Sequence, residues 1–503
     1  MERFPRGRGV GMGSFSLAFD PWIPVLDVAG AWRLVGIRDA LCDAHRIERI
    51  SPVSPLAEVA IHRLILAVLH RVLDGPPDSI AAVELYESGQ LPRNRIEAYL
   101  NRWVRRFDLF DRQYPFFQVP DLPDDSPYPW TKLLPELASK HNPTLFDHSM
   151  DDNPPPASPA EATLALIVHQ SFTPEGLIRR LGVTSGKAGP LASAAIFLPQ
   201  GATLFETLLL NLTPYESEGD EPIWERPPYH VRDIEGGRAQ AMLSGRTRVY
   251  TWMSRAVRLL PEDSGTVRFV AYGPGVQPLK SPKLDPMCAY RRTDHEPRPY
   301  RLPQDRSFWR DFEAVLPGES RWLAPGVLNH AREFLPKTRR LLFPLVVVGQ
   351  LTDQAKVVDV RREVYPLSVR SVAPDAAAAI RRALERARSV GDMLDRAAKE
   401  LAGNLLFPAN ARRPAKDIRR FVDSLPLHPV YWSALERAFP EFLEHLIFRG
   451  PEAAMEIWNA ATGRAAHDAW KKAAGAVGTT ARHLRAIAGG ERTLRRALGR
   501  LTA

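Results

Sequence analysis

Residues 341–367, LLFPLVVVGQLTDQAKVVDVRREVYPL, decide how the chain is read. Two β-branched, apolar runs, 341–351 and 356–367, flank Thr352-Asp353-Gln354-Ala355. Runs of that composition are strands, and a four-residue connection closes them as an antiparallel hairpin with a polar tip. Just beyond it, after Pro374, the composition turns to Ala, Leu, Arg and Glu with few β-branched residues. Helix-period runs then continue to the end. AAAAIRRALERARSVGDMLDRAAKEL is one helix and a second spans about Trp432 to Leu446; PEAAMEIWNAATGRAAHDAWKKAAG is expected to break near Gly463; TTARHLRAIAG and ERTLRRALGRL close the chain. Antiparallel helices on short loops make a bundle. The expected class is α+β: a disordered extension over 1–13, a large mixed α/β domain with long loops over 14–370, and a helical bundle of four-helix type over 371–503.

Working back from the hairpin, residues 55–74, PLAEVAIHRLILAVLHRVLD, are apolar nearly all round and stop at Gly75-Pro76, the pattern of a buried helix. Between about 140 and 200 the periodicity weakens around Pro154 to Pro156 and the stretch TPEGLIRRLGVTSGKAGP, which reads as long loops. Thr203 and Glu206 have capping-box spacing ahead of LLLNL, so a helix begins there. RTRVYTWMSRAVRLL and TVRFVAY, within 246–272, are β-rich and lead into the loop GPGVQPLKSPKLDP.

A chain of 503 residues exceeds what one core usually fills, so two domains are expected, and 45% apolar residues suffice for both. No apolar run approaches the ~18 residues that span a bilayer, and the first 13 residues lack the apolar centre of a signal peptide. A soluble, cytoplasmic protein is expected. Cys42 and Cys288, the only cysteines, exclude a disulfide framework and a zinc site built on paired cysteines. The net charge is +9, and residues 371–503 hold 22 Lys/Arg against 14 Asp/Glu. An excess concentrated at one end calls for a polyanionic partner.

Catalytic signatures are missing: no Gly-Lys-Ser/Thr phosphate loop, no Gly-x-Ser-x-Gly elbow and no His-Glu-x-x-His. Gly7, Gly9, Gly11 and Gly13 alternate with no strand before them, so they cannot form a dinucleotide fingerprint. The doublets Asp147-His148 and Asp294-His295 are of the kind metal-dependent phosphohydrolases use, and they keep that class as the enzymatic alternative, although no further His/Asp cluster has ligand spacing. The expectation is a protein that is not an enzyme and has no metal or cofactor. A passive RNA-binding scaffold is the third reading.

The opening Phe19-Asp20-Pro21-Trp22-Ile23-Pro24-Val25 resembles the N-terminal signature of the CasA family, the large subunits of type I-E CRISPR Cascade complexes. Further similar segments follow in order: Tyr114-Pro115-Phe116-Phe117-Gln118, Thr144-Leu145-Phe146-Asp147-His148, the helix from Thr203 to Leu212, the hairpin of 349–367 and the C-terminal bundle. The resemblance implies an antiviral surveillance protein that finds a short protospacer-adjacent motif in double-stranded DNA and wedges the duplex open. Guide CRISPR RNA then pairs with one strand and an R-loop grows. The partners it implies are that DNA, the guide RNA, the backbone, small and RNA-processing subunits, and a recruited helicase-nuclease; no membrane is involved. It makes Gln354, flanked by Asp353 and Ala355, the wedge. Lys280 and Lys283, Gly176 and His148 become the candidates for reading the motif from the minor groove. The family's glycine-rich run is reduced here to Gly176, and His148 stands where relatives carry Asn. Arg419, Arg420, Arg482, Arg485, Arg492, Arg495 and Arg496 are the phosphate-binding candidates of the bundle.

Overall fold

The computed structural model describes residues 14–135, 153–216, 218–242, 245–279, 284–318, 320–338, 342–353, 356–368, 373–408 and 412–502. Its mixture of helices and short sheets with a helical C-terminal region is the α+β class expected from the sequence. The chain divides into two compact units.

The larger unit takes residues up to Arg306 and Ser320–Val364. It opens with an antiparallel sheet in the order β2-β1-β3, from β1 (Ile23–Asp27), β2 (Trp32–Val35) and β3 (Ile47–Ile50). Trp22, just before β1, is fully buried and its indole N–H donates to the Leu17 carbonyl at 2.9 Å, which fixes where the strand starts. The all-round apolar stretch is helix α1 (Pro55–Leu73), buried along almost its whole length. Helix α2 (Pro159–Phe172) begins in a reciprocal capping box between Ser158 and Glu161. After it come β4 (Gly176–Arg180), β5 (Val183–Gly186), β6 (Ile196–Pro199) and α3 (Leu204–Asn211), whose N-terminus Thr203 caps. The stretch that reads as long loops therefore holds a helix, a hairpin and a buried strand.

Farther on, β7 (Arg255–Pro261) and β8 (Val267–Pro274) pair antiparallel, with Tyr128–Pro129 on the other edge of β8. The first part of the β-rich run is instead a short helix, Arg246–Tyr250. The hairpin is formed by β9 (Leu342–Asp353) and β10 (Lys356–Ser368), and β6 joins it in a sheet ordered β10-β9-β6.

The smaller unit comprises Tyr365–Ala503 and the separate segment Ser307–Glu319. Its helices are α4 (Pro374–Leu406), α5 (Ala415–Ser424), α6 (Leu427–Arg449), α7 (Pro451–Val477) and α8 (Ala481–Thr502). α7 runs unbroken through Gly463: a helical glycine costs about 1 kcal/mol against Ala, and the buried Trp458, Thr462, Ala465 and Ala466 around it offset that cost. Two hydrogen bonds lock helices together, from Trp458 Nε1 to the Ala383 carbonyl and from Tyr431 Oη to the Ala387 carbonyl, both at 2.8 Å. The core is completed from outside the helical run. Trp309 and Phe312 are buried, with ring centroids 5.3 Å and 5.2 Å from Phe439, and Trp309 is 5.9 Å from Trp458.

Removing so large a buried ring leaves a cavity. Trp309→Ala is expected to destabilise the helical unit by about 3–5 kcal/mol, read as faster amide hydrogen exchange in α6 and α7 of the full chain. A loss below about 1 kcal/mol would mean that Ser307–Glu319 only lies on the unit's surface.

Candidate nucleic-acid interface

Within the larger unit, the paired strands β6 and β9 knit together the supports of three loops that the sequence singles out. All four residues of β6 are buried. On one side it pairs with the hairpin, Ile196 opposite Val348 and Leu198 opposite Val346, and the Gln200 N–H donates to the Pro344 carbonyl at 2.8 Å. On the other side the Phe197 N–H donates to the Met287 carbonyl at 2.8 Å and Ile196 forms a bridge with Cys288, just beyond the lysine-bearing loop. The third support is tied through Gln350: its buried amide donates to the carbonyls of Phe172 (2.8 Å) and Ala192 (2.7 Å), which bracket the β4–β5 hairpin.

The β9–β10 hairpin is braced on its outer strand as well. Arg361 donates to the carbonyls of Pro303, Gln304 and Arg306 at 2.7–3.0 Å. Arg362 pairs at 2.8 Å with Glu58, a buried carboxylate that also accepts from Gln200 at 2.8 Å. Asp353 is the last residue of β9, and Gln354 and Ala355 lie outside the described residues.

Lys280 and Lys283 likewise lie outside the described residues, but both flanks of their loop are anchored. Gln277–Leu279 runs parallel to Gln240–Met242. Asp285 forms an ion pair at 2.7 Å with Arg63 of α1, both nearly inaccessible, and the guanidinium sits 4.2 Å from the centre of the Tyr250 ring. Taking one partner from a buried pair strands the other charge, at a cost of about 3–5 kcal/mol.

Gly176 is the first residue of strand β4, not part of a free loop, and pairs with Gly186. A side chain at Gly176 would meet open space, whereas a Cβ at Gly186 would lie 2.7 Å from Cζ of Arg255. Arg255 is the clamp of this hairpin. Buried to 2% exposure, it donates to the carbonyls of Pro174 (2.6 Å), Gly186 (3.4 Å), Lys187 (2.5 Å) and Ser254 (2.7 Å) and to the Tyr272 hydroxyl (3.1 Å). A polar relay continues from it: Tyr272 Oη lies 3.0 Å from His169 Nε2, and His169 Nδ1 lies 3.2 Å from the Leu133 carbonyl. Burial, then the positive charges of Arg255 and Lys132, hold His169 well below the usual imidazole range. A neutral ring with its proton on Nδ1 satisfies every member: Arg255 donates to Tyr272, Tyr272 to His169, and His169 to Leu133.

His148 falls outside the described residues, but the flanks of its segment are held. Trp130 Nε1 donates to the Pro155 carbonyl at 2.8 Å, and Ala157 exchanges two backbone hydrogen bonds of 2.9 Å with Val267 of β8. Of the His-Asp doublets, Asp294-His295 lies exposed in the turn between Tyr290–Arg291 and Arg298–Pro299, and Asp147-His148 is outside the described residues. Among the described residues no group of three His, Cys, Asp or Glu side chains is placed to hold a metal ion.

The seven phosphate-binding candidates are all exposed in the smaller unit. Arg482, Arg485, Arg492 and Arg496 share one flank of α8 with Arg500, at spacings of three, seven, four and four residues. That stripe runs about 27 Å at 1.5 Å per residue. Arg495 lies off it and is paired with Glu491 at 2.7 Å, while Arg419 faces Asp423 at 4.0 Å and Arg420 is exposed beside it on α5. Near the middle of α8 the stripe gains a cation from the residues just before α5: Arg413 donates at 3.1 Å to Asn404, whose amide would lie 3.0 Å from a Cβ at Gly489. Arg500 was legible from its spacing; Arg413 required the fold.

Loop supports gathered on two paired strands, together with a basic helical unit, define the class as an α+β protein with rigidly supported loops and a basic helical surface. Residues 16–469 match the family model of CRISPR-associated protein Cse1. A CRISPR-associated protein CasA/Cse1 of Thermus thermophilus is 47% identical, over 97% of this chain and 99% of the relative. The solved structure of Thermus thermophilus CasA (Cse1) superposes with a TM-score of 0.87 at 44% identity, covering 97% of this chain and 100% of that one. Cse1 from Acidimicrobium ferrooxidans gives 0.81 at 25% identity, covering 97% and 98%. The chain belongs to the CRISPR-associated Cse1 (CasA) family. Among the described residues, no helix is long and apolar enough to cross a membrane.

Two predictions test the scaffold of this interface. Gly186→Ala is expected to displace Arg255 and lower the melting temperature with faster proteolysis of 173–190, whereas Gly176→Ala leaves both unchanged; equal effects would contradict the assigned clamp. The second concerns acid. Burial holds His62, His169 and His330 below the usual 6.5 and takes His70 to about 3. Below about pH 6.5 the unfolded chain therefore binds more protons than the native one, so stability falls as pH drops through that value. The melting temperature should decrease between pH 7.5 and pH 5; a constant value would show that these rings titrate normally.

Proposed function

We propose that the chain is the large subunit of a type I-E CRISPR RNA-guided surveillance complex, which tests double-stranded DNA for a short protospacer-adjacent motif and starts duplex opening beside it. The observation that carries this reading is the gathering of three loop supports on the paired strands β6 and β9, in a chain of the Cse1 family. Reading a groove and parting two strands both need side chains held to within a fraction of an ångström, and rigid supports supply that. Unstacking a base step costs a few kcal/mol. A hairpin braced through Gln350, Arg361 and Arg362 can bear that load without bending. Gln354, between the two strands in sequence, is the proposed wedge with Asp353 and Ala355, and its amide can hydrogen-bond to exposed base edges.

Lys280 and Lys283, Gly176 and His148 are the proposed motif readers. The arginine stripe of α8, with Arg419 and Arg420, contributes salt-sensitive affinity for phosphates rather than specificity. Guide RNA pairing then supplies the sequence reading. Cutting falls to a separate helicase-nuclease that the open complex recruits, and the chain itself acts as a binding subunit.

The test is selection by the guide-loaded complex, with and without this chain, from matched duplexes carrying a randomised flanking sequence. Enrichment of one short motif only when the chain is present supports the reading; no enrichment leaves a scaffold. In the same assay Gln354→Ala should impair binding of closed duplex at least tenfold and spare a target already melted beside the motif. Equal loss on both targets would remove the wedge role.

A further inference from the structure

Residues 102–114 of the larger unit, RWVRRFDLFDRQY, carry chemistry that the loops above do not use. Phe107 is fully buried and stacks on Phe116 at 5.7 Å, and the Phe116 N–H donates to the Asp108 carbonyl at 2.8 Å. The segment is thereby pinned at its middle, and arginine and aromatic side chains lie on both sides of that anchor. Arg106 lies 4.0 Å and Arg105 5.2 Å from the centre of the half-buried Tyr114 ring, and Arg102 lies 5.3 Å from that of Trp103. Asp111 shapes the turn: it accepts the N–H groups of Gln113 and Tyr114, each at 2.8 Å, and pairs with Arg105 at 3.2 Å. Arg102, Arg106 and Arg112 meet no carboxylate within ion-pair distance among the described residues.

Two features select a ligand class. Three guanidinium groups without an ion-pair partner on one short segment attract a polyanion. Positive charge alone would suit a duplex or an acidic protein equally. The Arg106 guanidinium, 4.0 Å from the centre of the Tyr114 ring, and the partly exposed Trp103 indole offer flat groups on which unpaired bases stack, and a duplex keeps its bases stacked inside. We propose that Arg102, Trp103, Arg106, Arg112 and Tyr114 form a binding site for single-stranded nucleic acid, the arginines holding phosphates while the Arg106–Tyr114 stack receives a base. The site is independent of the duplex-opening role. An RNA strand and a displaced DNA strand share the chemistry it recognises.

The experiment is fluorescence anisotropy of the full chain with labelled 15-nucleotide oligo-U RNA and oligo-dT DNA over a salt series. Wild type should bind at least one of them, and the combined Arg102→Ala, Arg106→Ala and Arg112→Ala variant should bind at least tenfold more weakly. The slope of log affinity against log salt should shrink by about 2, since each lost phosphate contact on a single strand removes about 0.7. Arg106→Lys keeps the charge but not the flat surface, so it should keep the slope and still lose about threefold to tenfold in affinity. A melting curve matching wild type establishes that each variant is folded. Tighter RNA binding marks a transcript as the source of the ligand, and DNA binding as tight or tighter marks a displaced strand. The proposal is overturned if neither strand binds wild type, which would leave an acidic protein surface as the occupant. It is also overturned if the triple variant binds normally, or if Arg106→Lys is indistinguishable from wild type, in which case only charge matters.

Discussion

The pairing of β6 is the constraint on which the larger unit's loop face depends. Four residues, Ile196 to Pro199, bond to the hairpin on one edge and to the residues after the lysine-bearing loop on the other, all of them away from water. Backbone groups buried in this way have nowhere else to bond, and each one left without a partner costs about 1–3 kcal/mol. Register is therefore strictly set. A slip of one residue would turn the side chains of Val346, Val347 and Val348, none of them accessible, to the opposite faces and break the ties at Gln200 and Met287 together. Gln350 extends the same logic with a side chain, since its two N–H groups meet carbonyls from segments twenty residues apart in sequence.

Arg255 solves a harder problem. A buried guanidinium is usually balanced by a carboxylate, but here four carbonyl oxygens and the Tyr272 hydroxyl surround it. Carbonyls carry only partial charge, so many must converge, and convergence fixes the backbone that carries them. The arrangement spends a polar cage on positioning the hairpin of β4 and β5. Gly186 is the residue that makes room for it, and the neutral tautomer of His169 closes the relay. Gly176, the position to which the family resemblance points, has no such packing demand, which leaves its surface face open to contact with something outside the chain.

How much was legible follows from what each pattern encodes. The β9–β10 hairpin was readable because both strands are long and β-branched around a polar turn, and the helices after Pro374 because their period is sustained over many turns. β6 was not, because a four-residue strand buried on both faces has no alternation to detect. Arg246–Tyr250 looked like strand on β-branched content alone, yet the Asp220 carboxylate accepts the N–H groups of Arg246, Thr247 and Arg248 and holds the first turn of a helix. Ser307–Glu319 could not be assigned to the helical unit from sequence, since only tertiary packing brings Trp309 to Phe439 and Trp458. For the interface, charge counting found the arginines, and helical spacing separates those on one flank of α8 from Arg495, which Glu491 already holds. Arg255 gave no signal: an arginine at the start of a mostly apolar strand carries no mark of the carbonyls it will meet.

These observations join in one argument about where change is tolerated. The supports are bound by the buried pair of Arg63 with Asp285, by the pair of Arg362 with the buried Glu58, and by backbone ladders, so a substitution there is felt well beyond its own position. Other candidate positions are less constrained: Gly176 can accept a side chain without moving a neighbour, and the arginines of the α8 stripe are exposed. Loops on a rigid base can change what they read at little cost to the fold. A chain that keeps the Cse1 scaffold at 47% identity to a relative can therefore differ at such positions, as the family resemblance implies for Gly176 and His148. On the proposed reading, the stability of the fold and the choice of motif rest on different residues, and selection can act on one without undoing the other.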